Sequence, residues 1–189
     1  MMKKLFIMMA VLILVGANGM CDYSSDRLQA YTLYTNSQYA SSQKAYEKII
    51  IDYPQMRVQS LAESQLMIGY SLLGQKKYIE AQSAFEKVMV IANYPLAVNQ
   101  TSIAQLNIGY ILRTQGKFQE AQSSFIKAAI GYGFINLKFQ EKVWKVIDPV
   151  YLDKESYQHY LQKLLMIVPA TEENAEFLGK IKSQLELLK

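Results

Sequence analysis

From Leu61 to Ile130 the apolar residues recur at intervals of three and four, in blocks separated by short polar turns. That spacing places them on one face of successive amphipathic helices. The first block predicts a helix over 61–73, a turn at Gly74-Gln75-Lys76-Lys77, and a second helix over 78–91. The next block predicts helices over 102–114 and 118–130, joined at Gln115-Gly116-Lys117, with Gly131-Tyr132-Gly133 ending the second through a left-handed glycine cap.

The two blocks are copies. Gln65-Leu66-Met67-Ile68-Gly69-Tyr70 returns about 40 residues later as Gln105-Leu106-Asn107-Ile108-Gly109-Tyr110, and each is followed by Ala-Gln-Ser-x-Phe-x-Lys. Roughly half of the positions from Ala62 to Lys87 are identical in the next copy. The register extends upstream, with Tyr39, Tyr78 and Phe118 equivalent, as are Tyr46, Phe85 and Phe125, and Ser42, Ala81 and Ala121. Pro54 and Pro95 close the first two units. A helical hairpin of this size cannot bury its apolar face alone, so the period predicts stacked hairpins.

These residues resemble the tetratricopeptide repeat (TPR) family across about residues 23–135. Gly69 and Gly109 stand at its small eighth position, Ala81 and Ala121 at its alanine, and Phe85 and Phe125 at its aromatic. The resemblance implies an all-α, right-handed superhelical solenoid of TPR-like helical hairpins. It pairs each glycine with the alanine of its hairpin at a close helix crossing, and it sends the aromatic towards the next hairpin. The first unit departs by carrying Ala30 and Ser42, and its second half, 39–54, is similar to periplasmic members such as the Tol-Pal coordinator and outer-membrane assembly proteins. The spacing exceeds the family's 34-residue period by about five or six residues. That surplus falls at 55–60 and 94–101, where it lengthens helix ends or loops.

The resemblance also implies a binding surface. First helices of such hairpins line a concave groove, and the matching groove positions here are Tyr31, Tyr70 and Tyr110; Arg27, Leu66 and Leu106; and Tyr34, Leu73 and Arg113. Three tyrosines at one repeat position form a ladder of broad apolar area with hydroxyls for a partner's backbone. Packing between neighbouring first helices is the other reading of that ladder. Arg113 is suited to a carboxylate. The core is assigned to Ile68, Leu72, Ala81, Phe85, Ile108, Leu112, Ala121 and Phe125.

After Leu137 the pattern decays into a degenerate fourth hairpin, in which Phe139–Val146 is apolar enough for a helix and Pro149 would break it. Asp153 is placed to cap a helix running to about Ile167 and ended by Pro169. Thr171 begins a last helix with Glu172 and Glu173 in its first turn. Its apolar stripe of Leu178, Ile181, Leu185 and Leu188 marks it as a C-terminal capping helix. Trp144, Tyr151 and Tyr160 in the fourth hairpin are candidates for an exposed apolar patch and self-association.

The N-terminus adds a different element. Lys3 and Lys4 precede an unbroken apolar run, Leu5–Val15, too short to span a bilayer and of the length of a signal-peptide core. Residues 1–19 are therefore read as a signal peptide, cut after Gly19 or after Ala17, and the product as exported to a periplasm. Residues 20–135 form the three hairpins and 136–189 the remainder. Cys21 is the only cysteine, so no internal disulfide forms. It is either a lipidation site or part of an N-terminal stub.

The formal net charge of +4 in 189 residues is spread among acidic neighbours, without the basic stripe that nucleic acid requires. No metal or cofactor is implied, because there is no paired His/Cys cluster and no glycine-rich phosphate loop. The single histidine, His159, has Glu155 one turn before it but no nucleophile in its motif. The resulting expectation is a non-catalytic exported scaffold that binds a peptide or helix of a cell-envelope protein in its concave groove. The alternative is a Cys21-anchored lipoprotein subunit of an envelope assembly, docking by its convex or C-terminal surface.

Overall fold

A computed structural model describes residues 22–91, 97–132 and 142–189. The proposed leader, Cys21, Pro95, Gly133 and the start of the Phe139 helix lie outside the described residues. The chain divides into two compact units, one up to Ala81 and one from Gln82 onwards. That border falls inside a helix and does not follow the repeat boundaries. Among the described residues all regular structure is helical, arranged as successive hairpins.

The first unit holds α1 (22–35), α2 (Tyr39–Asp52), α3 (Val58–Gly74) and the first turn of α4 (Tyr78–Ile91). Helices α2 and α3 pack closely, and Ala30, Tyr46, Ile49, Ala62, Leu66, Ile68 and Leu72 form the core. A buried polar chain crosses it: Ser42 Oγ donates to the Ala30 carbonyl at 2.9 Å, and Ser71 Oγ donates to Ser42 Oγ at 3.2 Å. The second unit holds the rest of α4, then α5 (Val98–Thr114), α6 (Phe118–Tyr132), α7 (Lys154–Ile167) and α8 (Ala175–Leu187). Here α5 packs on α6 and α7 on α8. All eight residues assigned to the core are buried. The first helices of the second and third hairpins begin at Val58 and Val98, several residues before the expected starts, so the surplus of the period lengthens helices.

The hairpin turns share one backbone solution. Ser37, Lys76 and Gly116 each have a positive φ of 60°, 60° and 75°. In each, the next residue's N–H (Gln38, Lys77, Lys117) reaches back to the carbonyl of Leu33, Leu72 or Leu112. This pattern satisfies helix-terminal carbonyls through a left-handed residue, a place that suits glycine. Only the third hairpin has glycine there. Replacing Lys76 with Gly is therefore expected to raise stability by about 1 kcal/mol, read as a higher melting temperature.

Several glycines lie where side chains of other helices come close. Gly74 lies at the end of α3, and a Cβ there would sit 2.5 Å from the Tyr39 ring. Gly131 lies within α6, which is described as far as Tyr132. A side chain at Gly131 would meet Ser102 Oγ at 2.5 Å, so glycine lets α5 and α6 approach. At Gly109 the nearest atoms that a side chain would meet are those of the Phe125 ring, with Cδ1 at 2.5 Å. Phe125 thus packs into its own hairpin.

The C-terminal region follows the sequence reading in outline. Asp153 caps α7, its Oδ1 accepting from Ser156 N at 2.8 Å, and hydrogen bonding from the Ser156 side chain, then from its backbone N–H, holds the carboxyl below the usual range. Pro149–Tyr151 forms a 3-10 turn, and Asp148 N is fixed by Gln122 Oε1 at 3.0 Å. The last helix is preceded by a 3-10 turn at Glu172–Asn174, and the side chains it buries are Phe177 and Ile181. Leu178, Leu185 and Leu188 are only half-buried, because Phe177 occupies the face towards Trp144 at 5.5 Å. The expected patch is also different. Tyr160 is fully buried and Tyr151 stacks on Phe118 at 4.7 Å, while Val150 and Met166 are exposed.

Candidate functional site

The first unit opens a cleft of about 280 Å³ between α1 and α3, above α2. Ser24, Arg27, Leu28 and Tyr31 line it from one face of α1; Glu63, Ser64 and Met67 line it from α3, with Tyr46 from α2. Leu28 is 67% exposed and Tyr31 51%, side by side one turn apart. Neither is needed to seal a core. Arg27 Nη1 meets Glu63 Oε2 at 3.1 Å, and both side chains remain about half exposed. An ion pair this wet contributes about 0–1 kcal/mol, so a ligand's charges can replace either partner at small cost.

Below the pair, burial pushes the Tyr46 phenol up to about 12, with the Glu63 carboxylate adding to the shift and Arg27 opposing it. An unfolded tyrosine titrates near 10. The folded state therefore keeps a proton that the unfolded chain releases, so this stabilisation is complete below pH 10 and is lost as pH rises towards about 12. Tyr53, whose hydroxyl donates to Asp26 Oδ2 at 2.9 Å, is also held up to about 12, by partial burial and then by this bond. A Tyr46→Phe variant is expected to lose stability less steeply between pH 10 and 12 than the parent in denaturant titrations. Identical slopes would contradict this.

The other groove candidates are placed unevenly. Tyr34 packs against Tyr39 at 5.6 Å and Tyr70 at 6.4 Å, and burial raises its hydroxyl's pKa. Tyr70 and Leu73 are half-buried. Leu66 and Leu106 are buried core residues and offer no surface, which corrects their assignment to the groove. In the second unit Tyr110 packs on Phe125 at 5.3 Å. The exposed Arg113 lies over Tyr110 and Phe125, its guanidinium carbon 5.5 and 6.0 Å from their centroids. Stacking of this kind fixes the guanidinium plane at a cost in freedom and leaves its N–H edge to solvent.

Leu28, Met67 and Glu63 were missed from sequence. Leu28, Met67 and Asn107 share one repeat position, so a position-by-position comparison of the copies carried the signal. His159 and Glu155 lie a turn apart on α7 with both side chains exposed. Among the described residues no group of three or more His, Cys, Asp or Glu is placed to hold a metal, and no helix is long and apolar enough to cross a membrane.

Residues 103–129, the α5–α6 hairpin, match the family model of the tetratricopeptide repeat. This hairpin is similar to a tetratricopeptide repeat. Such a repeat suggests a protein–protein interaction scaffold, and an all-helical repeat fold of this kind is typically non-catalytic. The match covers the TPR hairpin in which Gly109 admits Phe125. A comparison with curated proteins found no match.

Proposed function

We propose that the α1–α3 cleft of this chain binds a segment of a partner protein by an apolar anchor side chain, with flanking charges exchanged against Arg27 and Glu63. The observation that carries this reading is the exposure of Leu28 and Tyr31 at the mouth of a cleft. Burying a leucine and a tyrosine against a partner contributes roughly 1.5–3 kcal/mol each. The hydroxyls of Tyr31 and Ser24 supply direction. On the sequence evidence of Lys3, Lys4 and Leu5–Val15, we place the chain in the exported class and its partner in the cell envelope. Peptide mapping of the mature N-terminus by mass spectrometry distinguishes a start at Asn18 or Met20 from an acylated Cys21.

The test is a paired recovery experiment on Leu28→Ala with Tyr31→Ala. Both side chains are exposed, so the unfolding free energy is expected to stay within about 0.5 kcal/mol of the parent's. Partner recovery is expected to fall at least about tenfold. Undiminished recovery of the same partner by a folded double variant removes the cleft from the account.

A further inference from the structure

The turn of the first hairpin and the start of α2 meet the end of α3 around a shallow hollow of about 350 Å³, all of it within the first unit. That volume lies in the range of small-molecule sites, about 300–1,000 Å³. Ser37, Gln38 and Ser41 line it from the first hairpin and Gln75 from the end of α3, with the Tyr39 ring beside them. None of the lining residues is charged. The repeat shows that this neutrality is not a general property of these turns. The positions of Ser37, Gln38 and Ser41 are Lys76, Lys77 and Glu80 in the second hairpin, and Gly116, Lys117 and Glu120 in the third. Both later copies thus carry an exposed lysine before the aromatic residue and an exposed glutamate after it. The first copy alone carries hydroxyls and an amide there.

Two of the lining groups are held in place. Gln75 Nε2 donates to Gln43 Oε1 at 2.8 Å and to the Ser71 carbonyl at 3.2 Å, which fixes the plane of its amide. Gly74 lies against the Tyr39 ring, because a Cβ there would sit 2.5 Å from Cγ and 2.6 Å from Cδ1 and Cδ2. Tyr34 meets the same ring edge-on at 5.6 Å. Groups fixed beforehand cost a ligand less to engage. The Tyr39 hydroxyl donates to Ser37 Oγ over a long 3.5 Å, a bond that a ligand's hydroxyl can replace. A phosphate or carboxylate calls for a cation, and the lining holds none. A peptide spreads its donors and acceptors along a line, at about 3.3 Å per residue. Serine hydroxyls and glutamine amides both donate and accept, so gathered around one aromatic ring they suit an uncharged body with many hydroxyls and an apolar C–H face. We propose that this hollow binds a neutral saccharide ring, packed against Tyr39 and hydrogen-bonded by Gln38, Ser41 and Gln75. It shares no lining residue with the α1–α3 cleft.

Titration of the full chain with maltose, cellobiose and N,N′-diacetylchitobiose, each beside its own hexasaccharide, tests this by nuclear magnetic resonance. The side-chain amide signals of Gln38 and Gln75 are expected to shift and saturate with at least one of these sugars. Equal affinity for the short and long forms identifies a free sugar as the ligand, and tighter binding of the long form identifies a glycan chain; both support the proposal. Gln38→Lys with Ser41→Glu installs residues that the later hairpins carry at exposed positions, so its melting temperature is expected to match the parent's. Its affinity, read at Gln75, is expected to fall at least about tenfold. Tyr39→Phe keeps the ring and is expected to bind as the parent does. Leu28→Ala with Tyr31→Ala is expected to leave sugar binding unchanged, so this result and that for the cleft are independent. Absence of a shift with every sugar overturns the proposal, as does undiminished affinity in the folded Gln38→Lys, Ser41→Glu variant. An acetylated, amidated Ser-Gln-Ser peptide that produces the same saturating shifts overturns it in favour of a peptide site.

Discussion

Phe125→Ala is expected to destabilise the second unit by about 3–5 kcal/mol, the range for emptying a fully buried aromatic site. Gly109→Ala is expected to be costly as well, although alanine is the better helix former by about 1 kcal/mol. A methyl group at 109 would fall within the Phe125 ring, whose Cδ1 lies 2.5 Å from the position it would take. Either the ring or the helix must move, and overpacking of this kind costs about 1–3 kcal/mol. The two substitutions are coupled. Once the ring is gone the methyl has space, so Gly109→Ala made in the Phe125→Ala background is expected to be neutral or stabilising. A thermodynamic cycle of the four chains, followed by thermal unfolding, reads this sign change. If the costs simply add, the glycine is not there to admit the ring.

Ser42→Ala is expected to cost about 1–3 kcal/mol even though it restores the residue typical of a tetratricopeptide repeat at that position. Ser42 is fully buried and sits in the middle of a chain, donating to the Ala30 carbonyl and accepting from Ser71. Removing its hydroxyl leaves that of Ser71, also buried, without its acceptor. The desolvation cost of an orphaned hydroxyl exceeds the net contribution of a satisfied bond. Replacing both serines by alanine is therefore expected to recover part of the loss, because no unpaired group remains. A double variant less stable than the sum of the single variants would contradict this.

Ser42 also shows where a family pattern stops being informative. Smallness at that position was legible from its equivalents Ala81 and Ala121, and the structure keeps all three buried. The hydroxyl's role was not legible, since its partners Ala30 and Ser71 come from two other helices. The same holds for Gly109: its need to be small could be read from the repeat, but the group that presses on it could not. Helix ends were legible where a local signal fixes them, as with Asp153 before α7. At Gly131 the close approach of Ser102 from another helix was not legible, because no local signal reports it.

For the site, the repeat register led to Tyr31 and Arg27 but also to Leu66 and Leu106, which the fold buries. Register assigns a residue to a helix face only within about one position. That uncertainty separates Leu66 in the core from Met67 in the cleft. The repeat register made Tyr31, Tyr70 and Tyr110 equivalent. It could not say that Tyr34 and Tyr70 pack against each other while Tyr31 stays open to solvent.

The most direct measurement of the central claim is photo-crosslinking from position 28 in intact cells, with the covalent product mapped to single residues. The account predicts one partner segment bonded through an apolar side chain, lost when Tyr31→Ala is introduced into the same chain. A partner that bonds instead from probes at Ile79 or Val150, with position 28 silent, would contradict it.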